Sequence, residues 1–377
     1  VGKYGRDTAP TTAAVWKILP FDDGRVPMRA FKTSVACVLS ALFAFFGNSL
    51  ISAEEKTAAA ISPDDQTNQV VAAAKTLVDV LNEGEKSKCL FKFNDEAQRL
   101  RWSNLPTGIF ERKGLRMGDL KPEQRDSVMA VLKATLSASG YQQILDNVAA
   151  EETLNQGGRR GRLAFGKDEF YFSILGTPST AEPWMWQFGG HHLAINATIV
   201  RDQITVGPSL TGGQPMHCTS EGRKISQMEA EIGAAFELVN ALNEAQKKKA
   251  VLGDRFSDML LGPGKDDVIP ASEGISAKEL TEAQTGTLKR LIKERIGLLN
   301  AEDFDCKMKS IESEMEHVHF SWRGPNSPGS AAYYRVQGLT FFLEFAPQQM
   351  GGAPMEHIHA MYREFKNDYG EQWVKGQ

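Results

Sequence analysis

The sequence predicts an α+β protein made of two related halves, each with helices first and an antiparallel sheet second. The halves are read as an internal duplication fused into one globular unit. Three matches, met in the same order, predict this. Residues 77–83 (LVDVLNE) match residues 238–244 (LVNALNE) at five of seven positions. Residues 114–120 (GLRMGDL) line up with residues 274–280 (GISAKEL). Phe172-Ser173-x-x-Gly176 lines up with Phe320-Ser321-x-x-Gly324, and the register then runs without a gap to Gly190 against Gly338, with Trp186 against Tyr334.

The elements are read in chain order. Residues 1–27 carry no period and read as a mis-start upstream of Met28, or as a disordered extension. Residues 28–53 read as a signal peptide. Arg29 and Lys32 are basic, residues 35–46 form an uncharged run of 12, and Ala53 is a small residue ahead of Glu54-Glu55. A spanning helix needs roughly 20 apolar residues, so this run suits a cleaved signal better than an anchor. The expectation is an exported chain, periplasmic or secreted, with no membrane contact after cleavage.

Half one covers residues 62–215. Ser62-Pro63 is a cap followed by proline at the first helical position, and Val70, Val71, Ala74, Leu77, Val78 and Leu81 continue at helical spacing. Further helices are predicted from Pro122 and over 141–152. Strands follow at 169–175, 184–188, 192–200 and 203–206, with Arg201-Asp202 as a tight turn. Residues 157–162 are basic and glycine-rich but lack the strand–turn–helix setting of a phosphate loop, so they read as an exposed loop. A Gly/Pro-rich connector then carries His217-Cys218. Half two covers residues 226–377. Ser226-Gln227-Met228-Glu229 has a capping-box pattern. Helices are predicted from Thr281 and over 302–314, and strands over 318–322, 333–336, 340–345 and 357–362.

At 41% hydrophobic and 24% charged residues, the chain is of globular type. A net charge of −4 gives no basic balance for nucleic acid. Four cysteines are too few for a disulfide scaffold, and loss of Cys37 with the signal leaves Cys89, Cys218 and Cys306, enough for one disulfide at most. Gly-x-Ser-x-Gly, Walker, His-Glu-x-x-His and Cys-x-x-Cys motifs are absent.

The histidines cluster as His191/His192, His317/His319 and His357/His359, with His217 beside Cys218. On a strand, His357 and His359 share a face, and two imidazoles on one face chelate one metal while Ile358 packs behind. Glu344, on the preceding strand, completes a two-histidine, one-carboxylate set. That set describes a catalytic zinc site or the facial triad of non-haem iron(II), so the expected cofactor is one divalent transition metal: zinc, iron or copper. In the gapless register His192 matches Thr340 and Asn196 matches Glu344. A pseudo-twofold pairing of the halves brings His192 to the site as a fourth ligand or acid/base. His191, its neighbour on a strand, points to the other face. Arg363 either anchors a substrate carboxylate or phosphate or pairs with Glu364 or Asp368. Trp184, Trp186, Tyr333 and Tyr334 occupy equivalent places and either line a pocket or pack the core.

Gly189-Gly190-His191-His192-Leu193-Ala194-Ile195-Asn196, Tyr333-Tyr334-Arg335-Val336-Gln337-Gly338, and His357-Ile358-His359 with Arg363 and Asn367-Asp368-Tyr369-Gly370 resemble the domain-of-unknown-function family 3500. The resemblance spans essentially the whole mature chain. It implies an exported, mostly bacterial protein and carries no reaction. One departure is the turn Ala346-Pro347-Gln348-Gln349, where an acidic or Asn-containing turn is expected.

Two functions are expected from these residues. One is a metal-dependent enzyme acting on a small molecule, as a hydrolase ahead of an oxidoreductase because hydrolysis needs no second cofactor. The other is a non-catalytic periplasmic or secreted protein that binds a small ligand or metal in the same groove.

Overall fold

The computed structural model describes residues 63–156, 161–255, 258–349 and 353–375, all in the unit spanning residues 59–377. The signal at 28–53, the extension before it and the Ser62 cap lie outside the described residues, as do positions 157–160 of the glycine-rich loop.

The chain is α+β, and local chemistry explains where its elements begin. α1 (Pro63–Val80) is followed by α2 (Glu83–Cys89), which starts because Asn82 and Glu85 form a reciprocal capping box. β1 (Leu90–Phe91), α3 (Glu96–Arg99) and β2 (Leu115–Arg116) come next. α4 (Pro122–Thr135) carries proline at its first turn, and α5 (Ala138–Gln156) follows. β3 (Tyr171–Leu175), β4 (Trp184–Gly190), β5 (Leu193–Val200) and β6 (Gln203–Thr205) match the predicted strands. Arg201 turns the β5–β6 hairpin at φ 58°.

The connector is not a linker. It forms β7 (Ser209–Gly213) and a separate hairpin, β8 (His217–Ser220) with β9 (Arg223–Ser226). Ser226 caps nothing: its hydroxyl lies 2.9 Å from His217 Nδ1, and α6 (Glu229–Ala241) begins after Met228 at φ 54°. α7 (Glu244–Ala250) has the Asn243–Gln246 capping box. It leads to β10 (Val251–Gly253), β11 (Ile275–Ser276) and α8 (Glu282–Ile296), capped by Thr281 and Gln284. α9 (Ala301–Ser313), β12 (His319–Arg323), β13 (Tyr333–Gln337), β14 (Phe341–Pro347), β15 (Ile358–Glu364) and α10 (Glu371–Lys375) complete the chain.

One sheet holds both halves. Its path is β1-β3-β4-β5-β7-β15-β14-β13-β12-β10, with the edge strands β1 and β10 parallel to their neighbours and every other pairing antiparallel. The halves join where β7 meets β15, with Ala360 opposite Thr211. Side chains alternate across this sheet. Ile358, Ala360 and Tyr362 face α6 and α8 with Leu238, Leu288 and Trp322, while Trp186 and Phe172 face α1 and α4. Trp184, Trp186, Tyr333 and Tyr334 are all buried, as the core-packing alternative expects. The opposite face carries Ala194, Leu210 and Met361 and is covered by Trp102 and Tyr369. Cys89, Cys218 and Cys306 are free thiols.

Candidate functional site

Two sheet segments bring the histidines together. β4 and β5 pair as far as Gly190 opposite Leu193, so His191-His192 is the two-residue turn between them. His192 takes φ 60°, a left-handed conformation that tips its ring off the strand line. The expected strand position for His192 is thus replaced by a turn, and its neighbour His191 reaches the same site instead of the opposite face. His357 immediately precedes β15, and His359 is on it, opposite Gly212 of β7. A Cβ at Gly212 would lie 2.6 Å from the Ile358 carbonyl, 3.0 Å from the His359 ring and 3.3 Å from the His192 Cβ. Glycine there lets both imidazoles lean over β7.

Three ring nitrogens form a chain through His357. His192 Nε2 lies 2.9 Å from His357 Nε2, which lies 3.2 Å from His359 Nε2. The rings are held from behind. His192 Nδ1 contacts the Glu151 carboxylate of α5 at short range, and His191 Nδ1 lies 3.1 Å from the same group. The Asn104 amide is 3.4 Å from His359 Nδ1. Asn147, one turn before Glu151, donates to the carbonyls of His192 at 3.0 Å and Gly212 at 2.8 Å, tying the turn to β7.

Burial sets the protonation. His192 is fully buried and His359 is 3% exposed, while His357 keeps 9%. Burial, reinforced by neighbouring imidazoles, holds His192 and His359 well below the ordinary histidine range, so both are neutral near pH 7. Burial pushes Glu151 up, against the pull of His191. A neutral His192 with its Nδ1–H on Glu151 turns a lone pair toward His357. With that tautomer, the cluster presents buried imidazole nitrogens backed by a carboxylate.

Glu344 is not with them. It shares the face of His359 but stands opposite Met361, two rungs away from the pairing of Ala346 with His359. Its carboxylate is taken by the amides of Leu260 and Leu261, both at 2.7 Å, and by the Tyr333 hydroxyl at 3.0 Å. Arg363, 2% exposed, follows its pairing alternative: it binds Asp266 at 2.9 Å and Asp368 at 3.0 Å. His319 contacts the His317 carbonyl away from the cluster, and His217 lies on β8.

Glu151, Asn147 and Asn104 escape the sequence reading. A signal existed for two of them: Asn147 and Glu151 interrupt the apolar stripe of Ile144 and Leu154 on α5, polar groups at buried positions that must have partners.

Among known proteins, the family model described as "Protein of unknown function (DUF3500)" matches residues 63–371. No curated protein and no solved structure matches the chain.

Proposed function

For a chain that belongs to the DUF3500 family of proteins of unknown function, the reaction must be read from the site, and we propose that His192, His357 and His359 hold one divalent transition metal, zinc, iron or copper, that acts on a small-molecule substrate. The observation that carries this is that His357 Nε2 lies 2.9 Å from His192 Nε2 and 3.2 Å from His359 Nε2. Three imidazoles around one zinc at about 2.0–2.1 Å place their nitrogens about 3.3 Å apart. With the His192 Nδ1–H on Glu151, its Nε2 lone pair faces His357. A cation between them would be a common partner for the three nitrogens.

Each residue then has a role. His192, His357 and His359 are ligands. Glu151 fixes the His192 tautomer and raises its basicity. His191 offers a ring nitrogen within 4.8 Å of those of His192 and His357, and is assigned proton transfer through the shared carboxylate. A metal on three imidazoles supplies an activated water at neutral pH, which favours hydrolysis over redox chemistry. Export to the periplasm or beyond remains part of the proposal, resting on residues 28–53.

The duplication belongs to the same reading. Paired helices, a short strand, two further helices and a three-strand ladder follow in one order on each side of the β7–β15 junction. The second-half turn at Leu339-Thr340 also rests on a carboxylate: Glu314 takes the Thr340 hydroxyl at 2.8 Å and the Leu339 amide at 3.2 Å. Only the first-half turn carries histidines, and His357 and His359 come from the second half, so the centre requires both.

Elemental analysis of residues 54–377 after exposure to zinc, copper and iron(II), beside a His357→Ala/His359→Ala variant, tests this. Near-stoichiometric metal in the first and loss in the second is expected. No metal in the unaltered chain overturns the proposal. Metal without turnover of ester, amide or phosphate substrates supports the binding-protein alternative.

A further inference from the structure

We propose that a polar slot on the loop face of the first half binds the carboxylate of a small organic acid, with Arg112 as its anchor. This goes beyond the metal reading and does not depend on it.

The floor of the slot is neutral. Ser173, Gln187 and Asn196 lie opposite one another across β3, β4 and β5. Gln187 Nε2 donates to Asn196 Oδ1 at 2.9 Å, and Gln98 Nε2 donates to Gln187 Oε1 at 3.0 Å. Above them is a cavity of about 30 Å³, lined also by Arg112, Arg101 and Lys113. A water needs roughly 10–15 Å³ on this measure, so the space suits a group of carboxylate size.

Arg112 has no carboxylate in contact among the described residues; Glu151 and Glu169 act on it only through space. Its Nη2 donates to the carbonyls of Ser103 at 2.7 Å and of Leu105 and Gly190, each at 2.6 Å. Its Nη1 is buried without a partner, and so is Gln98 Oε1. Among the described residues, the ion pairs of the chain leave Arg112 without a carboxylate. Burial lowers its guanidinium to about 10, so it stays charged at neutral pH. A part-buried guanidinium with a buried, unpartnered Nη1 gains from an acceptor, and its planar fork matches a carboxylate.

The second half provides an internal comparison. There the same rungs hold Ser321, Arg335 and Glu344. Glu273 accepts from Ser321 at 3.2 Å and pairs with Arg323 at 3.1 Å and Arg335 at 3.4 Å. Glu273 precedes Gly274 as Lys113 precedes Gly114. One half carries its own carboxylate over the ladder. The other has a lysine at that position, neutral amides below and an arginine with no carboxylate in contact.

Ligand-detected NMR on the full chain, with acetate and glycolate as probes and chelator in every arm to separate metal coordination, tests the proposal. Both probes should bind, and inorganic phosphate should not displace them. Arg112→Lys should weaken binding. Gln98→Glu supplies an internal carboxylate to the slot and should lower affinity by at least about tenfold. Failure of both probes to bind the unaltered chain overturns the proposal. So does equal displacement by phosphate, or undiminished binding by a folded Gln98→Glu variant.

Discussion

Replacing Glu151 by glutamine should weaken metal binding without unfolding the chain. Glu151 is 2% exposed, and its carboxylate faces the Nδ1 atoms of both His191 and His192. A carboxamide keeps one acceptor oxygen and adds an NH₂ that must donate. Its oxygen can accept from either imidazole, but where the NH₂ faces His192 that ring must accept and so reverse its tautomer. If His192 reverses, its N–H points at the converging nitrogens and blocks ligation. A charge-assisted hydrogen bond of this kind is worth about 1.5–3 kcal/mol. Loss of a ligand's orienting partner lowers metal affinity about 10–100-fold, or about 1.4–2.7 kcal/mol. The two ranges agree, so one orienting bond accounts for the whole expected effect. Competition for zinc against a chromophoric chelator at fixed pH measures it, with near-ultraviolet circular dichroism reporting the fold. Affinity within about twofold of the unaltered chain, in a folded variant, would refute the tautomer argument.

Other outcomes follow from the same contacts. Gly212→Ala places a methyl 2.6 Å from the Ile358 carbonyl and should cost about 1–3 kcal/mol in urea unfolding while weakening metal binding; loss of neither sinks the close-approach argument. Arg295, 2% exposed, pairs with Glu231, which also accepts from Tyr334 at 2.7 Å. Arg295→Met alone should cost about 3–5 kcal/mol and Arg295→Met/Glu231→Leu much less; equal losses would show that the stranded charge is not the cause. Burial lifts the Asp303 carboxyl from 3.8 to about 6, so the fold holds its proton more tightly than the unfolded chain does. That contribution is complete below about pH 4 and is lost as pH rises through about 6, and Asp303→Asn should flatten this part of the stability profile measured by urea titration.

Much of the fold was legible because its signals are local. Pro122 and the Thr281–Gln284 pair mark helix starts, and alternating residues mark the strands on either side of Gly190 and Gly338. β7 was not legible. Ser209-Leu210-Thr211-Gly212-Gly213 sits between Pro208 and Pro215 and has the composition of a connector. It is a strand because β5 and β15 both pair with it, which is a tertiary cause. The site divides along the same line. His357-x-His359 follows from strand alternation alone. The face of Glu344 also follows, but its rung depends on how β14 pairs with β15, which sets its carboxylate beside Leu260, Leu261 and Tyr333. Glu151 comes from a helix 41 positions before His192, a contact that no local spacing encodes.

The β7–β15 junction also has a consequence for the order of synthesis. β15 follows every other described strand in the chain, yet it lies in the middle of the sheet. As the chain emerges, β7 therefore waits with an unpaired edge until residues 358–362 arrive, and the second-half ladder waits beside it. Such an edge is a template for pairing with other chains. Nascent fragments ending before residue 358 should aggregate or engage chaperones, and release of the last strand should close the sheet and complete the histidine cluster in one event.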